Sequence, residues 1–198
     1  MIKVENLFSS SSELIQGLKL VQPEVFYDQR GYFLESWNQK VFNTKIGPSI
    51  DFFQDNHSCS TQGTLRGLHY QLPPHEQAKL VRCINGEIFD VAIDLRRSSN
   101  TFGQCASVYL SAEKFNQLFI PAGFAHGFLT LSDKAEVLYK ASNYWNKDAE
   151  RSIIWNDPFL KIDWPLNIEF QLSKKDALAS TFKNLSKISN FLVLGFAQ

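Results

Sequence analysis

Cysteine is scarce and unpaired in this chain. Cys59, Cys83 and Cys105 stand far apart, odd in number and without a Cys-x-x-Cys pair. That argues against a disulfide framework and against a structural zinc site. Reduced thiols in a cytoplasmic protein are the expectation. An excess of one charge is also missing, since 20 Lys and Arg balance 20 Asp and Glu. Neither a nucleic-acid partner nor a charged tail is therefore expected. No basic region followed by an apolar stretch opens the chain, so no secretion signal is expected. The late apolar run Phe191-Leu192-Val193-Leu194 is too short to cross a membrane, and it reads as a packed terminal segment at a subunit contact. Internal repeats and dividing linkers are absent as well. The 198 residues fit a loose extension over 1–17, carrying Ser9-Ser10-Ser11-Ser12, and one domain over 18–198 that ends in a helical segment.

Aromatic residues are plentiful, at 14% with 17 Phe. They suit β-structure and stacking against a flat ligand. Strand patterns run over 50–56, 65–71, 79–83, 87–95, 106–110, 117–120, 127–131 and 136–145. Pro73-Pro74, Asn85-Gly86, Ser98-Ser99-Asn100 and Pro121-Ala122-Gly123 divide them. In 87–95, Phe89, Val91, Ile93 and Leu95 share one face, and Asp90 and Asp94 the other. In 136–145, Val137, Tyr139, Ala141, Asn143 and Trp145 share a face, which puts a phenol and an indole on one wall. A short helix fits 37–46, and a later one fits 173–182 with Ser173 as its cap and Asp176 three residues on. Close-spaced short strands with few helices predict a mainly β fold, a sandwich or barrel of the jelly-roll type.

Chemistry gathers around His69 in Arg66-Gly67-Leu68-His69-Tyr70-Gln71, with Lys79 ten residues on. An imidazole takes a proton near neutral pH, an ammonium holds the charge left behind, and a guanidinium grips phosphate. For a lone histidine a structural role is the default reading. Two neighbouring cations weigh against it unless a carboxylate, Asp176 or Asp90, or a bound anion compensates. Lys79 lies in a mostly apolar strand, which favours an inward role over a solvated one. Tyr139 is either a core tyrosine or a proton donor, and Trp145 either packs or stacks on a base. His126, between small residues at a strand entry, sits where glycine permits close ligand approach. Metal-binding jelly rolls place two histidines one residue apart. Position 71 is Gln71, so no catalytic metal is expected.

These pieces together resemble the dTDP-4-dehydrorhamnose 3,5-epimerase family of nucleotide-sugar epimerases. They are Asp28-Gln29-Arg30-Gly31 with Glu35, Gln54-Asp55-Asn56-His57-Ser58, Leu65 to Gln71, and Lys79-Leu80-Val81-Arg82-Cys83. Gly86 to Ala92, Thr101-Phe102-Gly103, Pro121 to Phe128, Leu138-Tyr139-Lys140 and Trp155-Asn156-Asp157 with Ile162-Asp163-Trp164-Pro165 follow in the same order. The resemblance implies a double-stranded β-helix (a cupin-like jelly roll), a homodimer, and neither metal nor cofactor. It implies a dTDP-linked 4-keto-6-deoxyhexose as substrate, inverted at C3 and C5. It further implies His69 as general base, Tyr139 as general acid, Lys79 as enolate stabiliser and Asp176 as the carboxylate orienting His69. Arg30, Glu35, Gln54, Asp55, Asn56, Arg66, His126, Glu150 and Lys175 match substrate contacts, and Trp145 matches the aromatic residue stacking on thymine. The chain departs from the family at Cys105 and Phe119, where tryptophan is expected. Other readings stay open: a mono-epimerase acting at one carbon, a non-catalytic sugar-nucleotide-binding jelly roll, and a metal-dependent cupin.

Overall fold

Successive strands switch between two facing sheets in the computed structural model, which describes residues 2–47, 50–165 and 167–184. One sheet has the order β1 (Lys3–Phe8), β2 (Leu14–Gln22), β10 (Gln117–Ile120), β7 (Lys79–Asn85), β12 (Lys134–Ala141) and β5 (Gln54–Thr61). The other has β13 (Glu150–Ser152), β6 (Thr64–Gln71), β11 (Phe124–Thr130), β8 (Glu87–Asp94) and β9 (Cys105–Ser111). A short β14 (Gln171–Leu172) runs parallel beside β6, whereas the other named strand pairs are antiparallel. A separate hairpin of β3 (Val25–Asp28) and β4 (Gly31–Leu34) stands apart from both sheets. Short helices include α1 (Gln39–Ile46) and α2 (Lys174–Ala177). This path is a cupin-like jelly roll, mainly β, as the turn-divided short strands predict.

Three apolar clusters follow from strand alternation. Val81, Leu118 and Val137 of one sheet meet Ile88, Ala92, Phe124 and Phe128 of the other to form the interior of the roll. Phe89, Val91, Ile93 and Leu95 point out of the roll, where Ile153, Leu160, Trp164 and Phe182 cover them. Both faces of β8 are thus buried, and Asp90 and Asp94, opposite the apolar row, are fully buried too. The outer face of the first sheet packs Leu80 and Phe119 against Phe42 of α1. Among the described residues no helix is long and apolar enough to cross a membrane.

Residues 3–8 are a strand and not part of the loose extension expected over 1–17: β1 pairs with β2, and the serine run is the turn between them. There the Ser12 amide donates to Ser9 O (2.9 Å), and the Ser9 and Ser11 hydroxyls share a bond. Gly17, whose φ is +87°, interrupts the alternation by which β2 would be recognised. Buried Ile15 and Leu18 are three apart across this irregularity, so the period of two is broken. The expected strand 136–145 stops at Ala141, because Ser142 and Asn143 turn the chain through bonds to Ala78 and Pro74. The late helix is shorter than 173–182, spanning Lys174–Ala177 with Ser173 as its cap. The expected contact segment Phe191–Leu194 lies outside the described residues.

Candidate active site

One bulge sets the geometry. Along β6 and β11, His126 faces His69 and Phe128 faces Arg66, so two residues of β11 oppose three of β6. The extra residue brings Arg66 and His69 to the same, inner face while Leu65 and Leu68 pack outside the roll. Gly67 makes this possible. Its φ is +128°, and a Cβ there would lie 2.5 Å from Gly127 Cα. Gly127, next to His126, thus serves a close approach of the two strands.

His69 and Asp176 are 107 residues apart in sequence, yet His69 Nε2 lies 2.6 Å from Asp176 Oδ1. Asp176 is buried, while His69 keeps 30% of its side chain exposed. Ser173 caps α2 by accepting the Asp176 amide at 3.1 Å, which fixes where the carboxylate points. Burial by itself raises the Asp176 value. Hydrogen bonds from His69, Ser173 and the Gly67 amide outweigh it and hold the carboxyl below its ordinary range. An ionised Asp176 only accepts, so Nε2 of a neutral His69 carries the proton and Nδ1 is left as its base.

A second pair stands beside the first. His126 is directly across β6 from His69, and its Nε2 lies 2.9 and 3.0 Å from the two Asp90 oxygens. Burial lowers the His126 value, with Lys79 and His69 adding to the effect and Asp90 opposing it. From the facing sheet come Lys79 and Tyr139, with the Lys79 Nζ 5.9 Å from the Tyr139 ring centroid. Burial pushes the Lys79 ammonium down to about 8, opposed by the Asp90 and Glu150 carboxylates. Burial raises the Tyr139 phenol, Glu150 adds to this, and Arg66 opposes it. Two imidazoles thus line one wall, and an ammonium and a phenol line the other.

The rim is polar. Asn56 pairs with Tyr139 across β5 and β12, and Gln54 Nε2 donates to Asn56 Oδ1 at 2.9 Å. The Trp145 amide donates to Gln54 Oε1 at 2.9 Å, which places that indole at the entrance, 55% exposed, rather than on the wall with Tyr139. Arg66 donates to Ser60 Oγ at 3.0 Å, bridging the sheets. Glu150, opposite Gln71, pairs with Lys175 at 2.6 Å.

Three predicted contacts are not brought to this cavity by the chain's own fold. Asp55 points to the outer face and pairs with Lys140 at 2.9 Å. Glu35 is exposed beside Trp37 and Ile2, near that same outer face. Arg30 sits at the turn of the β3–β4 hairpin, 90% exposed, bonded to Asp28. Conversely, Gln71, singled out only as a missing metal ligand, is buried and accepts the Asn146 amide at 2.6 Å, holding the entrance loop. Its inward alternation with His69 was the available signal. Among the described residues no group of three or more His, Cys, Asp or Glu is arranged to hold a metal ion.

Comparison with known proteins bears on this geometry. The family model for dTDP-4-dehydrorhamnose 3,5-epimerase matches residues 12–184. The chain is 54% identical over 168 residues to the dTDP-4-dehydrorhamnose 3,5-epimerase of Shigella flexneri, covering 85% of this chain and 92% of that protein. It is 55% identical over 168 residues to the enzyme of that name from Pseudomonas aeruginosa, again covering 85% and 92%. Among solved structures, the dTDP-6-deoxy-D-glucose-3,5-epimerase of Legionella pneumophila in complex with dTDP-4-keto-L-rhamnose superposes with a TM-score of 0.85 at 44% identity, covering 94% of this chain and 95% of that one.

Proposed function

The chain belongs to the dTDP-4-dehydrorhamnose 3,5-epimerase family, and from that premise we propose how its residues carry the reaction. It is an isomerase that converts dTDP-4-dehydro-6-deoxyglucose to dTDP-4-dehydrorhamnose. The C4 ketone acidifies the C–H bonds at C3 and C5. His69 Nδ1 takes one of these protons, and the electron pair moves onto the C4 oxygen as an enolate. The Lys79 ammonium holds that oxygen, a contact worth about 3–4 kcal/mol of barrier for a well-aimed donor. Tyr139 delivers its proton to the opposite face of the carbon, and the centre is inverted. Each inversion leaves an imidazolium and a phenolate. Exchange with water resets both, which the partial exposure of His69 permits. A second round acts on the other carbon.

The observation that carries this reading is the placement of His69 and Tyr139 on facing sheets, with Lys79 beside the phenol. A base and an acid on one side would return the proton where it came from. Asp176 orients His69. Arg66 and Lys175 grip the diphosphate, Gln54, Asn56, His126 and Glu150 contact the sugar, and Trp145 at the entrance stacks on thymine. The chain acts as a homodimer in the cytoplasm. The aromatic β3–β4 hairpin supports the dimer, since it pairs with neither sheet and its rings stay largely exposed even though Tyr32 rests edge-on against Phe115. Its Arg30, with Glu35 and Asp55, then reaches substrate only across that interface. Three free thiols fit the compartment.

The test is turnover of dTDP-4-keto-6-deoxyglucose in D₂O. Deuterium at both C3 and C5 is expected, with His69→Asn abolishing it. Label at one carbon identifies a mono-epimerase. Absence of label in the unaltered protein rejects the chemistry.

A further inference from the structure

Asp90 has no part in the proton transfers just described, yet it is fully buried, and a buried carboxylate is unfavourable without compensation. Groups on two strands meet its charge directly. His126 on β11 bonds to both its oxygens, and Lys79 and the buried Cys83 on β7 feel its charge. Glu150 on β13 acts on Lys79 and on Tyr139 of β12, while His69 on β6 acts on His126. Two carboxylates, Asp90 and Glu150, therefore stand against the cost of burying the Lys79 ammonium. Glu150 is already paired with Lys175 at 2.6 Å. Asp90 meets no such second cation among the described residues, only the His126 imidazole, whose charged form burial disfavours.

We propose that Asp90 is a positioning residue that sets the proton occupancy of two neighbours at once: it keeps Lys79 as the ammonium, and it keeps His126 as the Nε2–H tautomer with Nδ1 open as an acceptor. This deepens the reading above and rests on Lys79 holding the C4 oxygen. The two effects divide the substrate between them. A ketone or enolate oxygen only accepts, so a His126 whose sole N–H is spent on Asp90 cannot hold it. That oxygen falls to Lys79. His126 instead accepts from a hydroxyl of the sugar. Asp90 thereby fixes the orientation of the ring as well as the charge at its carbonyl, without touching the substrate.

Asp90→Asn tests this, because the amide keeps the shape and an acceptor for His126 while removing the charge. The alkaline limb of kcat/KM is expected to move down by about one pH unit from its wild-type position near 8, so that activity at pH 8 is roughly fivefold below wild type and approaches a tenfold loss at higher pH. Affinity for dTDP, measured calorimetrically, is expected to stay within about twofold, since a merely structural role would move it. A variant profile that superimposes on wild type overturns the proposal. Imidazole ¹⁵N spectra of the unaltered protein read the same claim without any variant. His126 is expected as the Nε2–H tautomer from pH 6 to 8, and a proton on Nδ1 overturns it. The D₂O experiment judges the functional reading separately: a wild type without exchange rejects that reading, while the ¹⁵N spectra still decide the state of His126.

Discussion

In the proposed mechanism Lys79 sets function against stability within a single side chain. Its folded value of about 8 lies below the ordinary 10.5, so the unfolded chain binds the proton more tightly. Between about pH 8 and 10.5 the unfolded state therefore holds more protons, and stability rises with pH across that window. Below pH 8 the whole penalty is in force, roughly 3 kcal/mol from the size of the displacement. Lys79→Met is accordingly expected to raise Tm at pH 7 while lowering kcat by about 100-fold or more, as thermal melts and progress curves will show. A melting temperature at or below wild type counts against a buried ammonium. The same displacement predicts that wild-type kcat/KM falls as pH rises through about 8.

At the scale of the element, the bulge in β6 decides which side chains share the cavity. Without the extra residue, the strand's period of two would put Arg66 and His69 on opposite faces. Gly67→Ala places a methyl group 2.5 Å from Gly127 Cα and 2.9 Å from His126 O, on a backbone with φ at +128°. The strain alone is worth roughly 1–3 kcal/mol, and the clash forces β6 and β11 apart. A clear drop in Tm together with at least tenfold lower activity is expected, with faster amide exchange along β11. A variant that melts like wild type and turns over normally would show that the close approach is dispensable. The sequence shows Gly67 as a motif letter. Only the register of β11 shows what it avoids.

For the molecule as a whole, the unexplained surface is the β3–β4 hairpin. Phe26, Tyr27, Tyr32 and Phe33 are 55%, 71%, 60% and 70% exposed, a concentration of apolar area uncommon on a monomer. The proposed dimer covers it. Phe26→Asp with Phe33→Asp is expected to give a folded monomer in sedimentation velocity, with KM raised because Arg30 no longer reaches a neighbouring site. A variant that stays dimeric places the interface elsewhere.

The local sequence specifies the turn-divided strands, since Asn85-Gly86 and Pro121-Ala122-Gly123 act locally and the strand alternation between them is a two-residue pattern. It also determined the chemistry available, because His69, Lys79, Tyr139 and Asp176 are fixed by side-chain type. It did not reveal β1 and β2, where Gly17 breaks the alternation, nor the end of β12 at Ala141, where side-chain bonds from Ser142 and Asn143 override strand propensity. That Asp90 bonds to His126 emerges from the fold alone. For His69 the residue types left Asp176 and Asp90 both open, the family resemblance named Asp176, and strand register with the position of α2 is what brings that carboxylate to 2.6 Å. Those are long-range contacts, set by how two sheets face each other and not by any short stretch of chain.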